Sequence, residues 1–191
     1  MLLRFIELDR GSYLIGGIDA TRLSGDDVRQ VVGLCAQDAH LFDSTLRENL
    51  RLARPACDDR AIRTALDRAR LTDWVEHLPD GLDTPLGEGG IRASEGERRR
   101  IALARTLLAD FPVIVFDEPT ANLDPPTADR LTHDLLTATT ERATVLITHR
   151  LTSLDLVDEI IVLDEGRVIE RGTNDELLRA GGHYCKLWHY Q

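Results

Sequence analysis

The stretch VIVFDE, residues 113–118, restricts the fold more than any other part of the chain. An unbroken apolar run leads straight into Asp117, Glu118 and then a proline. A short run of this kind without polar alternation suits a strand buried on both faces. Two further runs are built alike: VVGLCAQ (31–37) closes on Gln37, and TVLITH (144–149) closes on His149. Helical stretches separate them. Buried strands alternating with helices predict a mostly parallel α/β sheet covered on both faces. Ligands of such a sheet bind at the carboxyl ends of its strands. Gln37, Asp117, Glu118 and His149 are therefore expected along one edge.

The remaining segments fit around that sheet. GSYLIGGID (11–19) reads as strand and turn, and LSGDDVRQ (23–30) as a short helix capped by Ser24 with Asp27 three residues on. From Ser44 to Asp110 the spacing turns helical and β-branched runs disappear, which predicts a helical lobe over 44–110 beside an α/β core of 1–43 and 111–191. PPTADRLTHDLLTAT opens a helix with prolines. EIIVLDEGRVIERG is a hairpin turning on Asp164, Glu165 and Gly166. A final helix starts with a Thr173/Glu176 capping box.

Charge and composition narrow the function. The formal net charge of −10 argues against nucleic acid as a partner. No apolar run is as long as a bilayer span, and the start of the chain has no signal-peptide pattern. Cys35, Cys57 and Cys185 are odd in number and scattered, which fits reduced thiols rather than a disulfide frame or a metal site.

The polar strand ends carry the chemistry. Asp117 suits Mg²⁺ held through a water, and Glu118 can take a proton from an attacking water. The bland reading is an acidic strand-to-loop junction. His149 alone reads as a structural histidine, but opposite an Asp-Glu pair it can hydrogen-bond a γ-phosphate. Gln37 gains meaning only as one more polar strand end, where its amide can reach Mg²⁺ or the water. In ASEGERRRIALAR (93–105), Ser94 with Glu97 is a sufficient capping box, while Ser94 and Gly96 at a helix start also make an anion site. The run Arg98-Arg99-Arg100 reads as a partly solvated helix face. The usual phosphate cradle, G-x-x-x-x-G-K-[ST], is absent, and the one lysine, Lys186, lies in the C-terminal tail.

Taken in order, these pieces resemble the nucleotide-binding cassette of ATP-binding cassette (ABC) transporters. Gln37 matches the Q-loop, ASEGE the signature L-S-G-G-Q, VIVFDE the Walker B strand, ANLD (ending at Asp124) the D-loop, and His149 the switch histidine. LFDSTLRENL and TPLGEGG look like the exporter branch. LPDGLDTPLGEGGIRASEGERRRIALAR looks most like the heterodimeric thiol-reductant exporters of cytochrome bd assembly, which move cysteine or glutathione.

The resemblance implies a P-loop-NTPase-like fold with an inserted helical lobe, ATP and Mg²⁺ as cofactors, and ATPase activity coupled to transport. The implied partners are a second cassette and an exporter's transmembrane domain, at the cytoplasmic face of the inner membrane. Asp117, Glu118, Gln37 and His149 would serve one nucleotide, with Asp117 and Gln37 on the metal, Asp124 in the D-loop, and Ser94 and Gly96 facing the nucleotide of the partner. Against the family pattern the chain begins after the phosphate loop. It is expected to be a partial cassette over 1–191, without the first β-lobe and the phosphate-loop strand, which by analogy would lie beside the Walker B strand.

Glu95 stands where the signature has glycine, and Ala93 where it has leucine. A carboxylate about 6 Å from a γ-phosphate costs ~3 kcal/mol per unit charge at an effective dielectric of about 20. Either Glu95 points away or this half-site is weak, and removing its charge is expected to be neutral or helpful. Two rival functions stand beside ATP-driven export. One is a non-catalytic cassette that only pairs with a partner. The other, the soluble ABC-type ATPases of DNA repair, needs a long coiled coil between Gln37 and Ser94, where no sustained heptads occur.

Overall fold

The computed structural model describes residues 2–190 apart from 36–39 and 122. A small hairpin, β1 (Leu14–Ile15) and β2 (Ile18–Asp19), precedes α1 (Gly25–Val31). Ser24 caps α1 in the expected box, its Oγ accepting from the Asp27 N–H while the Asp27 carboxylate accepts from the Ser24 N–H. The helix runs to Val31, one residue into the run expected as strand. That one extra helical residue, Val31, packs against the small apolar cluster of Val28, Val32 and Val115. Strand β3 is therefore Val32–Cys35, and Gln37 lies outside the described residues.

A run of helices follows. A two-residue ladder of β4 (Ser44–Thr45) and β5 (Pro85–Leu86) brackets α2 (Leu46–Arg51), α3 (Asp59–Arg68) and α4 (Thr72–Glu76). Ile62, Ala65 and Leu66 form the buried stripe of α3 at three- and four-residue spacing. They join one continuous core with α5 (Glu95–Ala109), which contributes Ile101, Leu103, Ala104, Leu107 and Leu108.

Strand β6 (Val113–Asp117) leads to α6 (Pro125–Ala138), with prolines in its first turn, and then to β7 (Ala143–Ile147). The strand expected to reach His149 stops two residues earlier, and Thr148 and His149 follow it outside the ladder. Strands β8 (Ile160–Asp164) and β9 (Arg167–Gly172) form the expected hairpin, with Glu165 and Gly166 both at positive φ as a tight two-residue turn requires. The expected final helix is two: α7 (Asn174–Ala180), opened by the Thr173/Glu176 box, and α8 (His183–His189). Gly181, at φ 65°, ends the first of them.

The central sheet is parallel in the order β3-β6-β7. Ile114 and Phe116, both fully buried, face the large core with α5 and α6. Val115, on the opposite face, meets Val28 and Val32 under α1. Its paired neighbours Leu34 and Val145 are 39% and 40% exposed, and Ile147 farther along is 45% exposed. The sheet is thus covered fully on one face and only partly on the other, because the seven-residue α1 leaves β7 bare. Strand β6 has a partner on each side, which corrects the expected place for a further strand beside it. Among the described residues β3 and β7 are the two edge strands, each paired on one side only, and β8–β9 form a separate ladder.

Candidate active site at the carboxyl edge of the sheet

Register builds the site. Asp117 pairs with Ile147, and the ladder continues one step further, the Glu118 N–H donating to the Ile147 carbonyl at 2.9 Å. That bond ties the residue after β6 to the residue before the Thr148-His149 turn. The result is a direct contact: His149 Nδ1 lies 2.9 Å from Glu118 Oε2, with the histidine side chain 70% exposed and the glutamate 30%. Glu118 itself sits at φ 46°, a left-handed conformation that costs a non-glycine residue about 1–3 kcal/mol. Its N–H bond to Ile147 and its carbonyl bond from the Ala121 N–H (3.1 Å) hold it there.

Asp117 ends β6 exposed to solvent at this edge. Among the described residues no three His, Cys, Asp or Glu side chains converge on a metal position. A single exposed carboxylate nevertheless suits Mg²⁺, which is commonly held by one or two carboxylates together with phosphate oxygens and water. Cys35 closes β3 opposite Phe116, so that strand ends at the same edge. Burial pushes its thiol up to about 11, which makes it a packing residue rather than a nucleophile.

The start of α5 forms the second part. Ser94 Oγ accepts from the Glu97 N–H at 3.3 Å, and the Glu97 carboxylate accepts from the Ser94 N–H at 2.6 Å. Beside Gly96 the space that a Cβ would occupy is open. Glu95 bonds one turn along its own helix to Arg99, at 2.5 Å. Its charge is therefore paired within α5.

Arg99 departs from expectation. Successive helical residues are turned by about 100°, so three consecutive arginines cannot share one solvated face. Arg98 is exposed and donates to the Ala93 carbonyl, while Arg100 pairs with the buried Asp134 at 2.7 Å. Arg99, between them, is 6% exposed and donates to the carbonyls of Pro119 and Ala121, in the loop directly after Glu118. Asp124 caps α6, accepting from the Thr127 N–H at 3.1 Å; that bond holds its carboxyl below the usual range.

A second network was invisible as chemistry. Asn49, fully buried on α2, accepts from the Phe42 N–H and from Arg105 of α5, and donates to the carbonyls of Phe42, Ser44 and Thr45. It thereby pins residues 42–45 to α5. Its trace in the sequence is a polar residue sharing a helix stripe with Leu46 and Leu50.

Comparisons with known proteins bear on the family and the fold. Residues 1–121 match the family described as "ABC transporter". The mycobactin import ATP-binding/permease protein IrtA of Mycobacterium tuberculosis is 42% identical over 188 residues, covering 98% of this chain and 22% of that protein. The glutathione/L-cysteine transport system ATP-binding/permease protein CydD of Bacillus subtilis is 40% identical, covering 95% and 31%. The ATP-dependent lipid A-core flippase of Desulfotalea psychrophila is 36% identical, covering 98% and 33%. A solved bacterial Atm1-family ABC exporter with ATP bound superposes with a TM-score of 0.88 at 35% identity, over all of this chain and 33% of that one. The chain spans about a fifth to a third of the length of these relatives.

Proposed function

Because the chain belongs to the ABC transporter family, we propose that the carboxyl edge of its sheet is the hydrolytic part of an ATP site that drives transport. The contact between Glu118 and His149 carries this conclusion. A bound Mg-ATP would supply the phosphoryl group to be transferred to water. Glu118 takes the proton of that water, and His149 orients the carboxylate and faces the phosphate. Asp117 and Gln37 hold the metal, and Asp124 belongs to the adjoining loop. Ser94 and Gly96 present helix N–H groups to the nucleotide of a second cassette.

The triphosphate cradle is not among the 191 residues, so the chain by itself is expected to hydrolyse ATP negligibly. Its working form pairs with a second cassette, in a heterodimer, beneath a transmembrane domain at the cytoplasmic face of the membrane, with no role for nucleic acid. Among the described residues no helix is long and apolar enough to cross a membrane. For cargo we favour a small thiol such as cysteine or glutathione, on the strength of the segment around the signature and the similarity to CydD. Relatives named for mycobactin import and lipid A flipping are about equally similar, so the test is transport of labelled cysteine, glutathione and lipid A into vesicles.

The hydrolytic role is tested in the assembled full-length transporter. Glu118→Gln should lower turnover about 10²–10⁴-fold while ATP is still bound. Unchanged turnover overturns the assignment. The alternative, a cassette that only pairs with its partner, gives no turnover dependent on this residue even in the parent protein.

A further inference from the structure

Arg99 touches both the signature turn and the loop after Glu118. Its guanidinium is almost wholly enclosed, at 6% exposure. One terminal nitrogen donates to the Pro119 carbonyl, and the other to the Ala121 carbonyl and to Glu95 Oε1. Glu95 is the only carboxylate paired with it among the described residues, while the rest of its partners are uncharged carbonyls. The Glu95 side chain is itself 57% exposed, so its placement is set by this pair rather than by packing.

The loop being held needs holding. Glu118 adopts a left-handed backbone, and a turn follows in which the Ala121 N–H bonds the Glu118 carbonyl and the Leu123 N–H bonds the Thr120 carbonyl at 3.3 Å. Two carbonyls of that turn, on residues 119 and 121, converge on a single planar guanidinium. A guanidinium presents its donors in a fixed fork, so orienting it orients both carbonyls. A carboxylate one helical turn away fixes the fork itself.

We propose that Glu95 and Arg99 form a positioning strut for Glu118, in which the carboxylate of the signature turn locks the guanidinium that sets the 119–121 loop and hence the presentation of Glu118 to His149. The strut builds on the hydrolytic role given to Glu118 above. It reverses the expectation that Glu95 is neutral or harmful: its charge is consumed within its own helix, and removing it loosens the catalytic loop of the same chain. Hydrolysis at one site thereby depends on the helix turn that addresses the other.

The test uses the full-length protein assembled with its partner, in variants Glu95→Gln, Arg99→Gln, the double variant, and the charge exchange Glu95→Arg/Arg99→Glu. Hydrogen exchange of the Ala121 and Leu123 amides should quicken at least about tenfold in both single variants, with the remote Arg142 amide, bonded to the Thr139 carbonyl, unchanged. In the same samples kcat should fall about tenfold while KM for ATP stays within about twofold. The double variant should be no worse than either single one, and the exchange should recover part of kcat. Unchanged exchange at Ala121 and Leu123 in Glu95→Gln overturns the strut whether or not the assembly hydrolyses ATP. So does a double variant whose loss is the product of the two single losses. Failure of the hydrolytic role shows separately, as Glu118→Gln turning over like the parent.

Discussion

Replacing Asn49 by leucine removes a side chain of similar size and leaves its partners behind. Three carbonyls, on Phe42, Ser44 and Thr45, lose a donor; the Phe42 N–H and Arg105 lose an acceptor. At about 1 kcal/mol net for a neutral bond and 1.5–3 for one to a charged group, the ceiling is near 6 kcal/mol. Phe42 is exposed and Ser44 half-buried, so water replaces part of that loss at their backbone groups. Arg105 also keeps the carbonyls of Asn49 and His40 at 2.7 Å. About 3 kcal/mol should remain. For a chain of this size that lowers the thermal midpoint by about 6–12 °C, read by circular dichroism against the parent. Arg105→Leu removes one of the same bonds, the charged one to Asn49 Oδ1, so the double variant should fall short of the sum by about that bond's share. A drop under about 2 °C for Asn49→Leu would refute the claim that this amide pins residues 42–45 to α5.

Three further outcomes are expected. The chain on its own should self-associate through the bare β7, where Val145 and Ile147 are exposed beside an unpaired edge; Val145→Lys should reduce the associated fraction in sedimentation, and no change would place the contact elsewhere. The Asp129 carboxyl is held below its ordinary 3.8 by the Thr152 hydroxyl and Arg150. Its contribution is complete above about pH 3.8 and is lost as pH falls further, through the depressed value, so Asp129→Asn should flatten the acid limb of the stability profile. Cys185, half-buried, should react with a thiol reagent at pH 8 well before Cys35, whose thiolate fraction at a value of about 11 is on the order of 10⁻³; equal rates by mass spectrometry would contradict the burial of Cys35.

What could be read from the sequence was whatever depends on local spacing. The three capping boxes needed only a hydroxyl and an acid three residues apart, and all three are present at Ser24, Ser94 and Thr173. The approach of His149 to Glu118 followed from two apolar runs closing on polar residues, because parallel strands share a carboxyl edge. The pairing of Glu95 did not follow, since its partner Arg99 looked like one of three equivalent surface arginines. Which of three consecutive arginines is buried depends on how far α5 is rotated against the loop at 119–121. No local pattern encodes that angle. The open face was missed for a related reason: buried runs reveal that strands need cover, not whether a helix as short as α1 reaches all of them.

Strand β7 ends the parallel sheet, while β8 and β9 form their own ladder; the two are joined through Leu146 and the apolar cluster of Leu151, Leu154, Ile160, Leu177 and Tyr184. Among the described residues no hydrogen-bond ladder links the C-terminal hairpin to the sheet. The C-terminal part from Leu151 onward should behave as its own cooperative unit, opening at lower free energy than β6, whose backbone is paired on both sides. A strand that zipped onto β7 would change this, by making the sheet wider and burying Val145 and Ile147. Amide protection along β7 then becomes a gauge of sheet closure: low when the edge is bare, and rising to that of β6 when the edge is paired.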